Sequence, residues 1–224
     1  MTVFAPDPLD LAALLCSRVC HDVIGPVGAI INGLEVLDEE KDEEMRGFAL
    51  DLIKKSAGQA SARLQFCRLA FGSAGSAGAS IDTGDAEKVA RGLFGGERTE
   101  LAWNVTPRLM PKNKVKLILN LCLIAAAAIP RGGIIEVTLG DNEETVRISV
   151  TAMGTNAKLA GHLPGLLTGA PDCQPAGPQD IQAYYAGLVA KAANMILAVA
   201  VDADRVSIGA EAIQVEAIAE VVAG

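Results

Sequence analysis

The stretch Ser17-Arg18-Val19-Cys20-His21-Asp22-Val23-Ile24-Gly25-Pro26-Val27-Gly28-Ala29-Ile30 constrains this chain more than any other. It lies within a run, from about Leu9 to Leu37, whose apolar residues recur at helical spacing. One of only two histidines falls on the polar side of that helix. Stepping about 100° per residue from His21, the residues Asp10, Ser17, Arg18, Gly25, Gly28, Asn32 and Glu35 lie within about 60° of it. Leu14 is the one large apolar residue on that stripe. The opposite side carries Leu9, Ala13, Leu15, Val19, Val23, Val27, Ile30, Ile31, Leu34 and Leu37. So wide an apolar side must be covered, whereas His21 projects to solvent between residues too small to shield it.

Composition narrows the classes. Half of the 224 residues are apolar and only 4% are aromatic, which suits helix bundles and α/β layers packed from small aliphatics. A net charge of −8 argues against a nucleic-acid surface, which needs clustered Lys and Arg. The segment Met1–Asp7 lacks the basic start and apolar core of a secretory signal. The apolar run Leu117–Ile129 has 13 residues, short of the roughly 20 that span a membrane. A soluble, cytoplasmic protein is expected. The five cysteines, an odd number, read as reduced and buried thiols. Cys16 and Cys20 stand one turn apart, but there is no Cys-x-x-Cys pair and His21 points about 100° away from Cys20, so zinc is set aside.

A second helix follows from about Glu43 to Phe71, after the charged turn Asp38–Asp42. Two long helices joined by so short a turn must lie antiparallel. Their apolar faces exceed what one partner helix covers, which predicts a homodimer with a four-helix bundle at its centre. Residues 1–73 read as this hairpin domain, and 74–81, mostly drawn from the low-complexity Gly72–Ser80, read as a flexible linker. Residues 82–224 read as an α/β sandwich. The expected elements are a helix at Asp85–Gly95, a strand at Glu100–Val105 and a helix at Lys112–Ile129. A hairpin of Ile134–Leu139 and Val146–Thr151, joined through Asp141-Asn142-Glu143-Glu144, comes next. A Gly/Pro-rich loop at Gly154–Gly177, a helix at Asp180–Val199 and a strand near Arg205–Gly209 complete the domain. The fold class is therefore α+β.

The run His21-Asp-x-x-Gly-Pro-x-Gly-Ala-Ile30 in a helical hairpin resembles the phosphoacceptor box of bacterial sensor histidine kinases. The second half is similar to their ATP-binding domain in order and length. Leu117-Ile118-Leu119-Asn120-Leu121 through Gly133 resembles the helix carrying that domain's asparagine motif. Val146–Val150 resembles the strand leading to its Asp-x-Gly-x-Gly. The departures from that pattern matter more. The magnesium-binding asparagine of a working kinase falls on Ile124, the adenine-reading aspartate near Ala152, and the motif's second glycine near Asn156. Ala183-Tyr184-Tyr185-Ala186-Gly187 replaces the later glycine-rich turn. Magnesium needs oxygen ligands and a phosphate cradle needs glycine backbone, so ATP binding is not expected.

A kinase-shaped dimer with a phosphoacceptor histidine and no ATP site resembles the dimeric histidine phosphotransferases of alphaproteobacteria. That resemblance implies a phosphorelay. A hybrid kinase's receiver domain hands its aspartyl phosphate to His21, which passes it to the receivers of downstream response regulators, cell-cycle regulators among them. No cofactor of its own is implied, since the receiver holds the magnesium. Catalysis of this kind is mostly positioning and charge neutralisation. Histidine, with an ordinary pKa of ~6.5, is largely neutral at cellular pH and offers a ring nitrogen as nucleophile. Asp22 is the candidate to hold the other ring nitrogen's proton, although neighbours on a helix diverge. Leu14, Ser17, Arg18, Gly25, Gly28 and Asn32 are the candidate receiver-binding residues, and Pro26 removes one backbone hydrogen bond beside the site. The plain alternatives are a solvated charge for Asp22, a surface cation for Arg18 and close helix packing for the two glycines. His162, in the loop where kinases carry a nucleotide lid, reads as structural. An ATP-dependent kinase and a non-catalytic dimeric adaptor are the competing functions. With Gly25 where a polar residue usually follows the histidine, strong phosphatase activity is not expected.

Overall fold

Asp7 opens the first helix: its carboxylate accepts the Leu9 amide at 2.8 Å, and Pro8 takes the first helical position. In a computed structural model describing residues 7–72, 79–96, 98–140, 146–170 and 180–213, α1 runs Pro8–Glu39 and α2 runs Glu43–Ala70. The Asp42 carboxylate caps α2 by accepting the Met45 amide at 3.0 Å. Arg46 holds the turn together. Its guanidinium donates to the Leu37 carbonyl and, at 3.0 Å, to that of Glu40, a cation placed on the negative end of α1.

The helices approach closely at Gly33, where a Cβ would stand 2.7 Å from Ile53 Cγ1. Farther along, the Asp22 backbone meets Arg63. Rising numbers on α1 thus meet falling numbers on α2, and the hairpin is antiparallel, as expected. By length and composition α1 is apolar enough to cross a membrane. Arg18, His21 and Asp22 stand in mid-helix, where lipid would penalise them. The apolar run 117–129 lies in the core instead, with Leu117 to Leu119, Leu121 and Cys122 fully buried.

The remaining elements are β1 (Ser80–Asp82), α3 (Thr83–Phe94), β2 (Thr99–Asn104), β3 (Leu109–Pro111), α4 (Lys112–Ala128), β4 (Gly133–Leu139), β5 (Arg147–Met153), α5 (Leu163–Thr168), α6 (Ile181–Ala192), β6 (Met195–Asp202) and β7 (Arg205–Ala212). Five strands form one sheet in the order β2-β4-β5-β7-β6, parallel between β2 and β4 and antiparallel elsewhere, and β1 pairs with β3 apart from it. Alternate residues on each strand point into one core: Leu101 and Trp103, Ile135 and Val137, Ile148 and Val150, Val206 and Ile208. Each such Val, Leu or Ile contributes about 1.5–3 kcal/mol by leaving water. The end of α2 joins the same core. Phe66 and Ala70 are buried there, and the Phe66 ring meets Phe94 edge-on at 5.6 Å. Gly132 and Gly133, both at positive φ, let the chain turn into β4 against Arg98 and Met153, whose carbonyl oxygens would each lie 2.1 Å from an added Cβ.

Three expectations need correction. The helix expected at Asp180–Val199 ends at Ala192, because Asn194 takes the left-handed conformation (φ 54°) and Met195–Asp202 pairs with β7 as a strand. The loop at Gly154–Gly177 contains the short helix α5, closed by Gly169 at φ 74°. The thiols of Cys16 and Cys20 are exposed, because both lie on the outward apolar stripe of α1, while Cys122 is buried and Cys67 partly so. Most of the 74–81 linker, the Asp141–Glu144 turn and Cys173 lie outside the described residues.

Candidate functional site

His21 stands on the fourth turn of α1 with its side chain 87% exposed. Asp22 lies beside it, and its carboxylate is shared. Oδ2 accepts from Arg18 Nε at 3.1 Å, one turn back, and Oδ1 lies 3.8 Å from His21 Nδ1. That second distance is ion-pair reach rather than a hydrogen bond. The rotamer that brings Asp22 toward the ring is the one Arg18 fixes, so both side chains serve the same local geometry. Asp22 faces Nδ1, which leaves Nε2 outward and open.

The small-residue track is open as well. Cβ atoms added at Gly25 or Gly28 would meet nothing within 4 Å, so neither glycine is there for close packing in this chain. Ser17 and Asn32 are exposed along the same stripe, and Leu14 is partly buried. The structure therefore brings His21, Asp22 and Arg18 into one cluster and lays the other candidate residues along the helix on either side.

Two residues beside the site were missed. Ile24, 71% exposed, stands about 60° around the helix from His21 and is a large apolar neighbour. Arg63, on α2, donates through Nη1 to the Asp22 carbonyl at 3.0 Å. Cys67, one turn beyond Arg63, completes the α2 side. Burial foremost, and then the Asp22 carboxylate, push its thiol up, against the opposing pull of Arg18 and Arg63. A thiol so raised stays protonated and is a poor nucleophile.

Most of the sandwich positions singled out by the resemblance are packed against their own neighbours. Asn120 is fully buried and its amide is engaged: Nδ2 donates to the Ala70 carbonyl at 3.1 Å and the Lys116 carbonyl at 2.7 Å, while Oδ1 accepts from Gln182 Nε2 at 2.6 Å. It thereby ties the end of α2 to α4 and α6. Ile124 is 4% exposed and Ala152 wholly buried. Asn156 sits at φ 58° with its amide donating to Asp204 Oδ1 at 2.7 Å. Residues 183–187 lie inside α6, where Gly187 lets the helix press on the Leu167 carbonyl and Tyr185 packs against Phe71 at 5.6 Å. His162 Nε2 pairs with Asp180 Oδ1 at 2.8 Å, joining the start of α5 to the start of α6, a structural contact.

Known proteins resemble this chain over most of its length. Residues 83–205, over half the chain, match the family model for the histidine phosphotransferase C-terminal domain. The protein phosphotransferase ChpT of Brucella abortus (strain 2308) is 47% identical over 203 residues, covering 91% of this chain and 96% of that protein. A solved bacterial phosphotransferase superposes with a TM-score of 0.82 at 43% identity, covering 94% of this chain and all of the other. With a family model spanning its second domain and a relative matching it almost end to end, the chain belongs to the histidine phosphotransferase family, the phosphate carriers of phosphorelays.

Proposed function

We propose that His21 is the residue that carries the phosphoryl group. Two-component proteins, kinases and response regulators, are the partners of a histidine phosphotransferase. Here the donor is the receiver domain of a hybrid kinase and the acceptors are receivers of downstream response regulators, cell-cycle regulators among them. His21 Nε2 attacks the phosphorus of the receiver's aspartyl phosphate. The P–N bond forms, the acyl P–O bond breaks, and the receiver's carboxylate leaves. The proton on Nδ1 stays on the ring, and the cation that develops is met by Asp22, itself oriented by Arg18. The receiver's own magnesium neutralises the phosphoryl oxygens, and the chain needs no cofactor. Transfer onward is the same step reversed, at another receiver. Ser17, Gly25, Gly28 and Asn32 give that receiver a flat seat around the ring, with Leu14 and Arg18 at its edge. The observation that carries the reading is the 87% exposed imidazole with a carboxylate held 3.8 Å from its inner nitrogen.

The same hairpin supports a homodimer. Ile24, Val27, Ile31 and Leu34 on α1 and Met45, Phe48 and Leu52 on α2 are all exposed, leaving a stripe at heptad-like spacing on each helix. A second copy closing a four-helix bundle covers both, and the assembly works in the cytoplasm. Light scattering should give twice the chain mass, and a monomer at micromolar concentration would refute the dimer.

One gel tests the catalytic reading. Label should appear on the chain only when a phosphorylated receiver is supplied, and should vanish with His21→Ala. An ATP-dependent kinase would label itself from ATP alone, and an adaptor would bind receivers without ever carrying label.

A further inference from the structure

Pro26 takes one hydrogen bond out of the middle of α1. Proline has no amide hydrogen, so the donor that an α-helix sends from position 26 to the carbonyl of residue 22 is missing. That carbonyl belongs to Asp22, whose side chain faces His21. The structure supplies a replacement from the opposite helix: Arg63 Nη1 donates to the Asp22 carbonyl oxygen at 3.0 Å, across 41 positions of sequence. The bond is partly buried and charge-assisted, hence stronger than the amide bond whose place it takes.

We infer that Arg63 is a positioning residue for His21. Its guanidinium substitutes for the missing Pro26 amide and fixes the turn of α1 on which His21 and Asp22 stand. Helices bend and open at prolines because the carbonyl one turn earlier is left without its donor. Here that freedom would fall on the residue next to the phosphate carrier. A tip of that turn would shift the imidazole against both the Asp22 carboxylate and the incoming phosphorus, and transfer falls steeply with displacements of about an ångström. If Arg63 merely clamped α1 to α2, its importance would not depend on what residue 26 is. If it replaces an amide, restoring the amide makes it dispensable.

This inference rests on the reading that His21 carries phosphate, and a double-mutant cycle tests it separately. Single-turnover transfer from a phosphorylated receiver is measured for the wild type, Arg63→Met, Pro26→Ala and the double variant, with receiver affinity in parallel. Arg63→Met alone should slow transfer about tenfold while leaving receiver affinity within about twofold. On the Pro26→Ala background, where residue 26 again donates to the Asp22 carbonyl, the same change should alter the rate by less than about twofold. Arg63→Lys, which keeps one donor, should retain most of the rate. Hydrogen exchange of the amides from Val23 to Ile30 should follow the same pattern: faster in Arg63→Met, unmoved by that change once Pro26 is Ala. That readout does not require phosphate on His21, so label surviving His21→Ala would sink the functional reading, while the exchange pattern would still show whether Arg63 replaces the missing amide. Equal slowing in both backgrounds, or none in the first, overturns the inference. Should Arg63→Met fail to fold, the inference requires Pro26→Ala to restore folding.

Discussion

The neighbourhoods of His21 and of Asn120 each hold a polar side chain on a long helix, and they are opposites. Around His21 the ring is exposed, a Cβ added at Gly25 or Gly28 would meet nothing within 4 Å, and only its inner nitrogen has a charged neighbour. Around Asn120 the amide nitrogen and oxygen are both engaged within this chain, and Ile124, one turn on, is buried as well. A side chain available to another protein stays poorly packed in its own, whereas a buried amide with all its partners rigidifies whatever it joins. The architecture thus holds two helix-borne polar sites, one open to solvent and the other an internal rivet.

Substitutions break that contrast from either side. The largest expected effect is at the rivet. Asn120→Ala leaves the Gln182 amide and the Ala70 carbonyl unmatched in the core and should lower stability by about 3 kcal/mol in denaturant unfolding. Transfer per folded molecule should stay within about twofold, because the change does not touch the His21 cluster. A lost rate with stability intact would mean the two neighbourhoods are not separate. Next comes Asp22→Asn, which removes the charge facing Nδ1 and frees Arg18. Transfer should fall about tenfold, equal to about 1.4 kcal/mol, with no loss of receiver binding.

The smallest effect is at Lys116, one turn before Asn120. Its side chain is nearly buried with no acidic partner among the described residues, and burial, aided by Lys112, holds its ammonium below the usual lysine range. A lysine that binds its proton more weakly folded than unfolded destabilises the fold at lower pH. Lys116→Met should therefore stabilise by about 1 kcal/mol near neutrality. The gain should shrink toward zero as pH rises through the unfolded lysine value near 10.5. A gain constant with pH would locate its origin in packing rather than charge.

Much of this was legible in residue order, for reasons that differ by element. The hairpin helices end within two residues of their expected bounds, because Asp7 and Asp42 are strong caps and the apolar spacing is sustained over many turns. The stretch after Ala192 was misjudged, because a short apolar run of Ile, Leu, Val and Ala fits a buried helix as well as a strand. Only the pairing of β6 with β7 and the left-handed Asn194 decide it. Strands β1 and β3 are three residues each and exist through one another, which no local pattern reveals. The cluster of His21, Asp22 and Arg18 was readable because all three sit in a motif on one helix. Arg63 was not, since its partner lies 41 positions away. The one available signal was the carbonyl that Pro26 leaves without a donor.

The most direct test is to map where the phosphate sits. The chain is charged by a phosphorylated receiver, quenched at alkaline pH, and the label is located by peptide mass spectrometry. The account requires a single phosphoramidate on His21, stable to base and lost in acid. Label on any other residue, or a base-labile acyl phosphate, would contradict it.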